Sequence, residues 1–320
     1  MMSTDKMIPI ITGPTASGKS ALALKLCEIT GGELISCDSM QIYRKLDVGT
    51  AKPTIEDQAL VRHHMIDIID PGDNYNVSMF IEGCYKAIED ILSRGKLPVL
   101  CGGTGQYISA LKDGITFEED PLADEMTEKL YEEYRKNGID SIYQRLVDVD
   151  PESAAKIHPN NTRRVIRALA VYEATGKTKT ERNIDSVKEG PRYNFKLFQI
   201  SYEDDRSILY DRTNRRVDIM MEQGLEKEAR YLYSLPIDRK STCCQAIGYK
   251  EFLPLIDEQP GSTLERVAYE IKLNTRHFAK RQLTWFRYID CIQDINRDLS
   301  IEEQAKIVLD SISCSKNAQL

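Results

Sequence analysis

No apolar run in this 320-residue chain approaches the length of a membrane span. The opening residues, MMSTDKMIPI, lack the basic stretch and long apolar core of a secretory leader. The eight cysteines include no C-x-x-C pair, and no Cys/His cluster has zinc-ligand spacing. The thiols are therefore expected to be reduced and mostly buried, with Cys243 and Cys244 adjacent and Cys314 alone near the end. Histidine occurs four times, as the pair His63 and His64 and the isolated His158 and His277, for which structural roles are expected. No internal repeat or low-complexity tract is present, which excludes a solenoid. Basic charge is not in excess. A net charge of −7 argues against a protein that coats nucleic acid indiscriminately, though not against a local basic face. The remaining composition, 41% apolar, is that of a globular protein with a sizeable core, and the cytoplasm is the expected compartment.

Against these absences stands GPTASGKS, comprising Gly13, Pro14, Thr15, Ala16, Ser17, Gly18, Lys19 and Ser20. It is a complete G-x-x-x-x-G-K-[ST] loop between the apolar run Met7–Ile11 and a helical pattern from Ala21 to Cys27. Glycines let successive N–H groups turn toward an anion, and the helix N-terminus adds partial positive charge. Lys19 supplies a charge for the terminal phosphate, and Ser20 a hydroxyl for Mg²⁺. Pro9 must sit near the strand start, where a missing N–H is tolerated.

Four early strands are expected, at Met7–Thr12, Glu33–Cys37, Met65–Ile69 and Pro98–Cys101, with helices at Ser20–Ile29 and Ser78–Arg94 between them. This alternation predicts a parallel α/β sheet, with ligands at the carboxyl ends of the strands. The phosphate loop, Asp38-Ser39 and Gly102-Gly103-Thr104 all fall at such ends. Residues 118–189 read as a mostly helical insertion, with Asp150 and Asn160 or Asn161 as caps and Gly176 as a stop. A strand returns at Phe195–Tyr202, followed by helices at Asp205–Met221 and Leu264–Arg287. Ser300 and Glu303 form a capping box before a last amphipathic helix. The expected domains are a core of residues 1–117 and 190–320 and the 118–189 insertion.

Two helices set basic residues opposite their apolar stripe. Arg163, Arg164 and Arg167 oppose Val165, Ile166, Leu169 and Tyr172. Arg276, His277, Lys280 and Arg281 oppose Leu264, Val267, Ala268, Ile271, Thr275 and Phe278, with Trp285 and Arg287 beyond. Such a face is either solvated or meets a polyanion; the absence of interleaved acids weakens the first reading and leaves contact with RNA or DNA open beside it.

The loop does not identify the reaction. The guanine motif N-K-x-D is absent, and no run ends as a clear acidic Walker-B strand. Asp38 fits a carboxylate that takes a proton from a nucleophile; a turn cap or a water-mediated Mg²⁺ ligand is the alternative. A phosphate-loop small-molecule kinase would explain the loop and the acid but not the basic helices, and a non-catalytic RNA-binding module would not need Asp38.

GPTASGKS, CDSMQIY (Cys37–Tyr43), GTAKP (Gly49–Pro53), HHMIDI (His63–Ile68), GGTGQYISAL (Gly102–Leu111), RRVIRAL (Arg163–Leu169), QAIGYKE (Gln245–Glu251) and KRQLTWFR (Lys280–Arg287) together resemble the tRNA dimethylallyltransferases, in that family's order. The lack of a C-terminal Cys/His module resembles the bacterial type. The resemblance implies a P-loop nucleoside-triphosphate-hydrolase-like α/β fold with additional C-terminal helices, acting as a monomer. It implies that the loop holds dimethylallyl diphosphate with Mg²⁺, and that the acceptor is the exocyclic amine of the adenosine 3′ of the anticodon. It assigns Asp38 as base, Thr104 to the bridging oxygen and Arg212 to the diphosphate, with Arg216 as a second candidate. Contacts to the tRNA anticodon stem-loop map onto Asp38, Ser39, Met40 and Gln41; Thr162, Arg163, Arg164, Val165 and Ile166; Cys243, Cys244, Gln245, Ala246, Ile247 and Gly248; and His277, Lys280 and Arg281. Gln106, Asn161 and Ala170 depart from the family's usual residues.

Overall fold

A computed structural model describes residues 7–117, 121–202 and 205–313. Cys314 lies outside them. The chain begins with β1 (Ile8–Thr12), α1 (Lys19–Thr30), β2 (Glu33–Ser36), the short α2 (Ile55–Leu60), β3 (His63–His64), α3 (Val77–Ser93), β4 (Pro98–Gly102) and α4 (Gly105–Asp113). Then come α5 (Pro121–Asn137), α6 (Asp140–Val149), α7 (Pro151–Lys156), α8 (Thr162–Thr175) and α9 (Lys179–Ser186). The chain continues through β5 (Phe195–Ile200), α10 (Arg206–Glu222), α11 (Leu225–Ser234), a 3₁₀ turn at Lys250–Phe252, α12 (Leu253–Ile256), α13 (Leu264–Arg287), β6 (Ile292–Ile295) and α14 (Ile301–Ser313). Two compact units result: residues 113–192, and the remainder of the chain.

The larger unit is built on a six-stranded, wholly parallel sheet in the order β3-β2-β4-β1-β5-β6, the P-loop nucleoside-triphosphate-hydrolase-like α/β fold expected. Its central strands are apolar because both faces are covered. Ile8, Ile10, Ile35 and Leu100 pack with Phe80, Ile88 and Ile91 of α3 and Ile108 of α4. Ile11, Val99 and Phe198 pack on the other side with Leu22 and Leu26 of α1 and Val308 of α14. Pro9 sits inside β1 without penalty. Ile8 donates to Asn194 on the β5 side, so the missing N–H of Pro9 falls on the β4 side, where pairing begins only at Ile10. A third core, around Tyr43, Leu232, Tyr249 and Phe252, seats α10, α11 and the first half of α13.

Two expectations need correction, and one strand was not foreseen. Met65–Ile69 is not a strand: Met65 (φ 63°) and Asp67 (φ 53°) adopt left-handed backbone, and pairing is confined to His63–His64 and one bridge from Tyr43 to Ile69. The apolar residues there record burial rather than extension. The edge strand β6, short and interrupted by an aspartate, carries too little periodicity to be read. Along α13 the buried line steps from Val267 and Ile271 to Ala279, Gln282, Leu283 and Phe286, leaving Leu264 and Phe278 of the expected stripe at the surface. A 24-residue helix drifts around its axis, so a stripe fixed at one end does not carry to the other.

In the smaller unit, α5, α6 and α8 enclose Leu130, Ile142, Leu146, Val165, Ile166 and Leu169. Asp150 caps α7 through Ser153 N–H (3.1 Å) and also accepts from Thr180 N–H (3.0 Å) and its hydroxyl (2.6 Å). Asn161 caps α8, and Gly176 ends it in left-handed conformation.

At the amino end of β2, buried Glu33 binds Arg94, Lys96 (2.8 Å) and His64 (2.7 Å). Arg94 first, and then Lys96 and His64, hold this carboxyl far below the usual range against the opposing effect of burial. A depressed folded-state pKa stabilises above the unfolded value, about 4.3, and that contribution drains away as pH falls toward the folded value. Urea midpoints measured from pH 5 down to 2 should therefore fall more steeply for the wild type than for Glu33→Gln. Parallel curves would refute this role.

Candidate active site

The anion loop is held by its carbonyls. Lys19 Nζ donates to the Pro14 carbonyl (3.2 Å), Arg212 Nε to Ala16 (2.8 Å) and the Tyr202 hydroxyl to Ser17 (3.1 Å). Gly18 (φ 100°) precedes α1 without any side-chain cap, and the first α-type bond runs from Leu22 N–H to Gly18. The earlier N–H groups of α1 thus lack acceptors one turn back, which is the physical requirement for an anion site. The Ser17 hydroxyl is buried with no partner among the described residues, a donor suited to a phosphate oxygen. Burial lowers the pKa of Lys19, as does Arg216, while Asp38 opposes the shift. The side chain is partly exposed overall, but its ammonium lies deep enough for desolvation to dominate.

Asp38 follows β2. Its Oδ1 accepts from Met40 N–H (2.8 Å), so the turn-capping role is present. No hydrogen bond among the described residues engages the other oxygen, which leaves it for a proton. The Asp38-Ser39 turn is tied to the segment after β4. Ser39 N–H donates to Thr104 Oγ1 (3.0 Å), that hydroxyl reaches Ser39 Oγ (3.4 Å), and Thr104 N–H donates to the Cys37 carbonyl (3.2 Å). Gln41 supports the same turn: its Oε1 accepts from Ser36 Oγ (2.8 Å), and its Nε2 donates to Ala51 (3.2 Å). The 47–49 segment is pinned by one carboxylate. Glu228 accepts from the N–H groups of Asp47, Val48 and Gly49 (2.7, 2.8 and 2.8 Å) and from the Tyr249 hydroxyl (2.7 Å).

Arg212 and Arg216, one turn apart on α10, both reach the loop. Arg216 Nη1 lies 3.4 Å from Thr15 Oγ1. Burial lowers its pKa, and Asp38 counters that effect, so Arg216 is the more desolvated cation and shares the field of the acid. Arg216 is the second candidate in the sequence because spacing alone does not reveal which arginine is the more desolvated. Gln282, inside the KRQLTWFR segment expected to meet RNA, has a role there that the sequence did not suggest. Its buried amide accepts from Thr15 N–H (2.8 Å) and donates to the Gly103 carbonyl (2.8 Å). A polar residue on the apolar line of a helix was the available signal. The close approach of α13 also accounts for two glycines: a Cβ at Gly103 would lie 2.3 Å from the Gln282 amide, and one at Gly105 would lie 2.5 Å from the Trp285 ring. Trp285 is half exposed, and its indole N–H donates to Ser109 Oγ (3.2 Å).

The residues assigned to RNA fall into two groups. Arg163, Arg164, Gln245, His277, Lys280 and Arg281 are exposed; Ser39, Met40, Thr162, Ala246 and Ile247 are partly so. Val165, Ile166, Cys243 and Cys244 are fully buried, backbone included, and Gly248 (φ 95°) is buried too, so they present no surface to a partner and instead support their exposed neighbours. Arg167 forms an ion pair with Asp124 of α5, which qualifies the expectation that its face carries no acid. Of the three departures, Gln106 is exposed, Asn161 caps α8 and Ala170 is buried in the helical core.

Glu33, His64 and Asp90 bring potential ligand atoms within 4.8 Å of one another. They do not make a divalent-metal site beside the loop. Arg94 and Lys96 already neutralise Glu33, and the cluster lies at the amino end of β2 whereas the loop lies at the carboxyl end of β1. The hydroxyl of Ser20, exposed at the start of α1 beside Cys101, fits a Mg²⁺ that also binds phosphate oxygens.

A family model described as IPP transferase matches residues 41–288, and one described as isopentenyl transferase matches residues 6–68. The chain is 42% identical to a tRNA dimethylallyltransferase of Acetivibrio thermocellus over 93% of its length and 94% of the relative's. It is 44% identical to one of Oceanobacillus iheyensis over 95% of both. A tRNA isopentenylpyrophosphate transferase structure from Bacillus halodurans superposes with a TM-score of 0.71 at 37% identity, covering 97% of this chain and 98% of that one. A eukaryotic dimethylallyltransferase described as acting on tRNA gives 0.79 at 29% identity, over 97% and 80%. With its full sheet, loop and helical unit matched at this identity, the chain belongs to the IPP transferase family, the tRNA dimethylallyltransferases.

Proposed function

We propose that the chain transfers the dimethylallyl group of dimethylallyl diphosphate to the exocyclic amine of the adenosine 3′ of the anticodon, in tRNAs reading codons that begin with U. The observation carrying this reading is the bond between Ser39 N–H and Thr104 Oγ1, which brings a carboxylate and a hydroxyl to the same strand ends as the anion loop. As the C–O bond of the donor breaks, positive charge grows on the allyl carbon and negative charge on the bridging oxygen. Lys19, the Ser17 hydroxyl, the N–H groups of α1 and the Arg212–Arg216 pair are placed to stabilise the departing diphosphate. Thr104 donates to the bridging oxygen. The adenine amine is a weak nucleophile because its lone pair is conjugated with the ring, so Asp38 takes its proton as the new C–N bond forms. Bound magnesium, held by Ser20 and the diphosphate itself, would add Lewis-acid neutralisation of the leaving group.

The acceptor base must leave its stack, which requires a grip on the anticodon arm. Two exposed basic faces supply it: Arg163 and Arg164 on the helical unit, and His277, Lys280 and Arg281 on α13. A monomer in the cytoplasm suffices, since one chain carries every group named. Replacing Arg163 and Arg164 by Gln should flatten the logarithmic salt dependence of tRNA binding by about two. Arg167→Gln should add little, because Asp124 already neutralises Arg167. A salt slope unchanged in the double variant would mean that those arginines only face solvent.

The deciding experiment incubates the protein with radiolabelled dimethylallyl diphosphate and undermodified tRNA, followed by nucleoside analysis. Label on the adenosine beside the anticodon supports the reading. Consumption of a nucleoside triphosphate with no isoprenoid on RNA would instead favour a kinase.

A further inference from the structure

Gln282 stands on the buried side of α13, 6% exposed, among Ala279, Leu283 and Phe286. A hydrophobic residue would serve packing equally well, since a buried amide costs desolvation unless both of its ends are bonded. Here both ends are bonded, and to different loops. Oε1 takes the N–H of Thr15 in the anion loop after β1, and Nε2 holds the carbonyl of Gly103 after β4. β1 and β4 are neighbours in the sheet, so a single amide spans the gap between the loop that grips diphosphate and the segment that carries Thr104. The fit is close: a Cβ at Gly103 would have to displace the Gln282 amide from its bond to the Gly103 carbonyl.

We infer that Gln282 is a positioning residue for the transfer reaction, setting the distance between the diphosphate cradle and the Thr104 hydroxyl. This rests on the reaction proposed above. Gln282 does not touch the reacting atoms; it fixes two backbone groups whose separation decides whether the leaving oxygen meets its donor. The same helix exposes His277, Lys280 and Arg281, so an RNA seated on that face and the cradle beneath it share one rigid element. Misplacement of a reacting group by about 1 Å costs roughly a hundredfold in rate.

Two variants test the inference. Gln282→Glu keeps the shape and the acceptor for Thr15 but loses the donor to Gly103; Gln282→Met keeps the shape and loses both bonds. Single-turnover prenyl transfer at saturating donor and tRNA should fall about tenfold to a hundredfold in each, with tRNA Kd within about twofold of wild type. Relative to wild type at the same pH, a ratio that cancels the protonation of Asp38, Gln282→Glu should recover rate as pH is lowered, because burial against a carbonyl raises the pKa of the new carboxyl and its protonated form donates again. A side chain that only fills space predicts no such recovery. Rates within about twofold of wild type, or a rate loss matched by an equal loss of tRNA affinity, would overturn the inference. Should the Met variant fail to fold, the isosteric Glu variant and its pH profile decide alone. A wild-type enzyme that prenylates while both variants match it sinks this inference only; a wild type that transfers no prenyl group sinks the reading beneath it as well.

Discussion

Asp38→Ala lowers the single-turnover rate of prenyl transfer by about a hundredfold or more and leaves tRNA affinity near that of the wild type. The size follows from losing a general base, typically a hundredfold to ten-thousandfold. The division between rate and affinity follows from geometry. One oxygen of Asp38 holds Met40 N–H, and the other is free of hydrogen bonds among the described residues. Asp38→Asn separates the two functions, since it retains an oxygen for Met40 and cannot accept the proton. Its rate should match that of Asp38→Ala. If Asp38→Asn kept most of the activity, Asp38 would be a turn cap and not a base.

Thr104→Ala is expected to lower the same rate by about a hundredfold to a thousandfold, the range for losing one donor to a developing oxyanion. The hydroxyl has a second task, because Ser39 N–H donates to it at 3.0 Å. Alanine therefore removes the proton offered to the bridging oxygen and also loosens the Asp38-Ser39 turn. Thr104→Ser restores both bonds and should recover to within about tenfold of wild type, whereas Thr104→Val should behave like alanine. Single-turnover rates across the three substitutions provide the check. Equal losses for Ser and Ala would place the importance of Thr104 in its methyl group and packing.

Much of the site was legible because its chemistry is local. The loop Gly13–Ser20 declares itself through glycine, lysine and serine at set intervals, and the structure gives it a carbonyl-anchored turn leading into α1. Asp38 and Thr104 were legible as polar residues just past apolar runs, where parallel strands end. The boundaries of α13, Leu264 to Arg287, match the expected helix because a Thr263 cap and an uninterrupted period mark them. Reading failed where burial had to be inferred from apolar residues alone. Met65, Ile68 and Ile69 are sequestered to different degrees in irregular backbone, which looks like a strand in a string of letters.

The phosphate loop, the alternating strands and helices that set the sheet, the basic helix faces and the family resemblance can all be read from the string of residues. Each is written in residues close together along the chain. Chain packing made Arg216 the more desolvated of the two loop arginines, paired Arg167 with Asp124, set Glu228 against the 47–49 segment and let Gln282 tie two loops together. The reason is distance along the chain: Thr15 and Gln282 are 267 residues apart, and no local periodicity records a hydrogen bond that forms only after the sheet and α13 have packed.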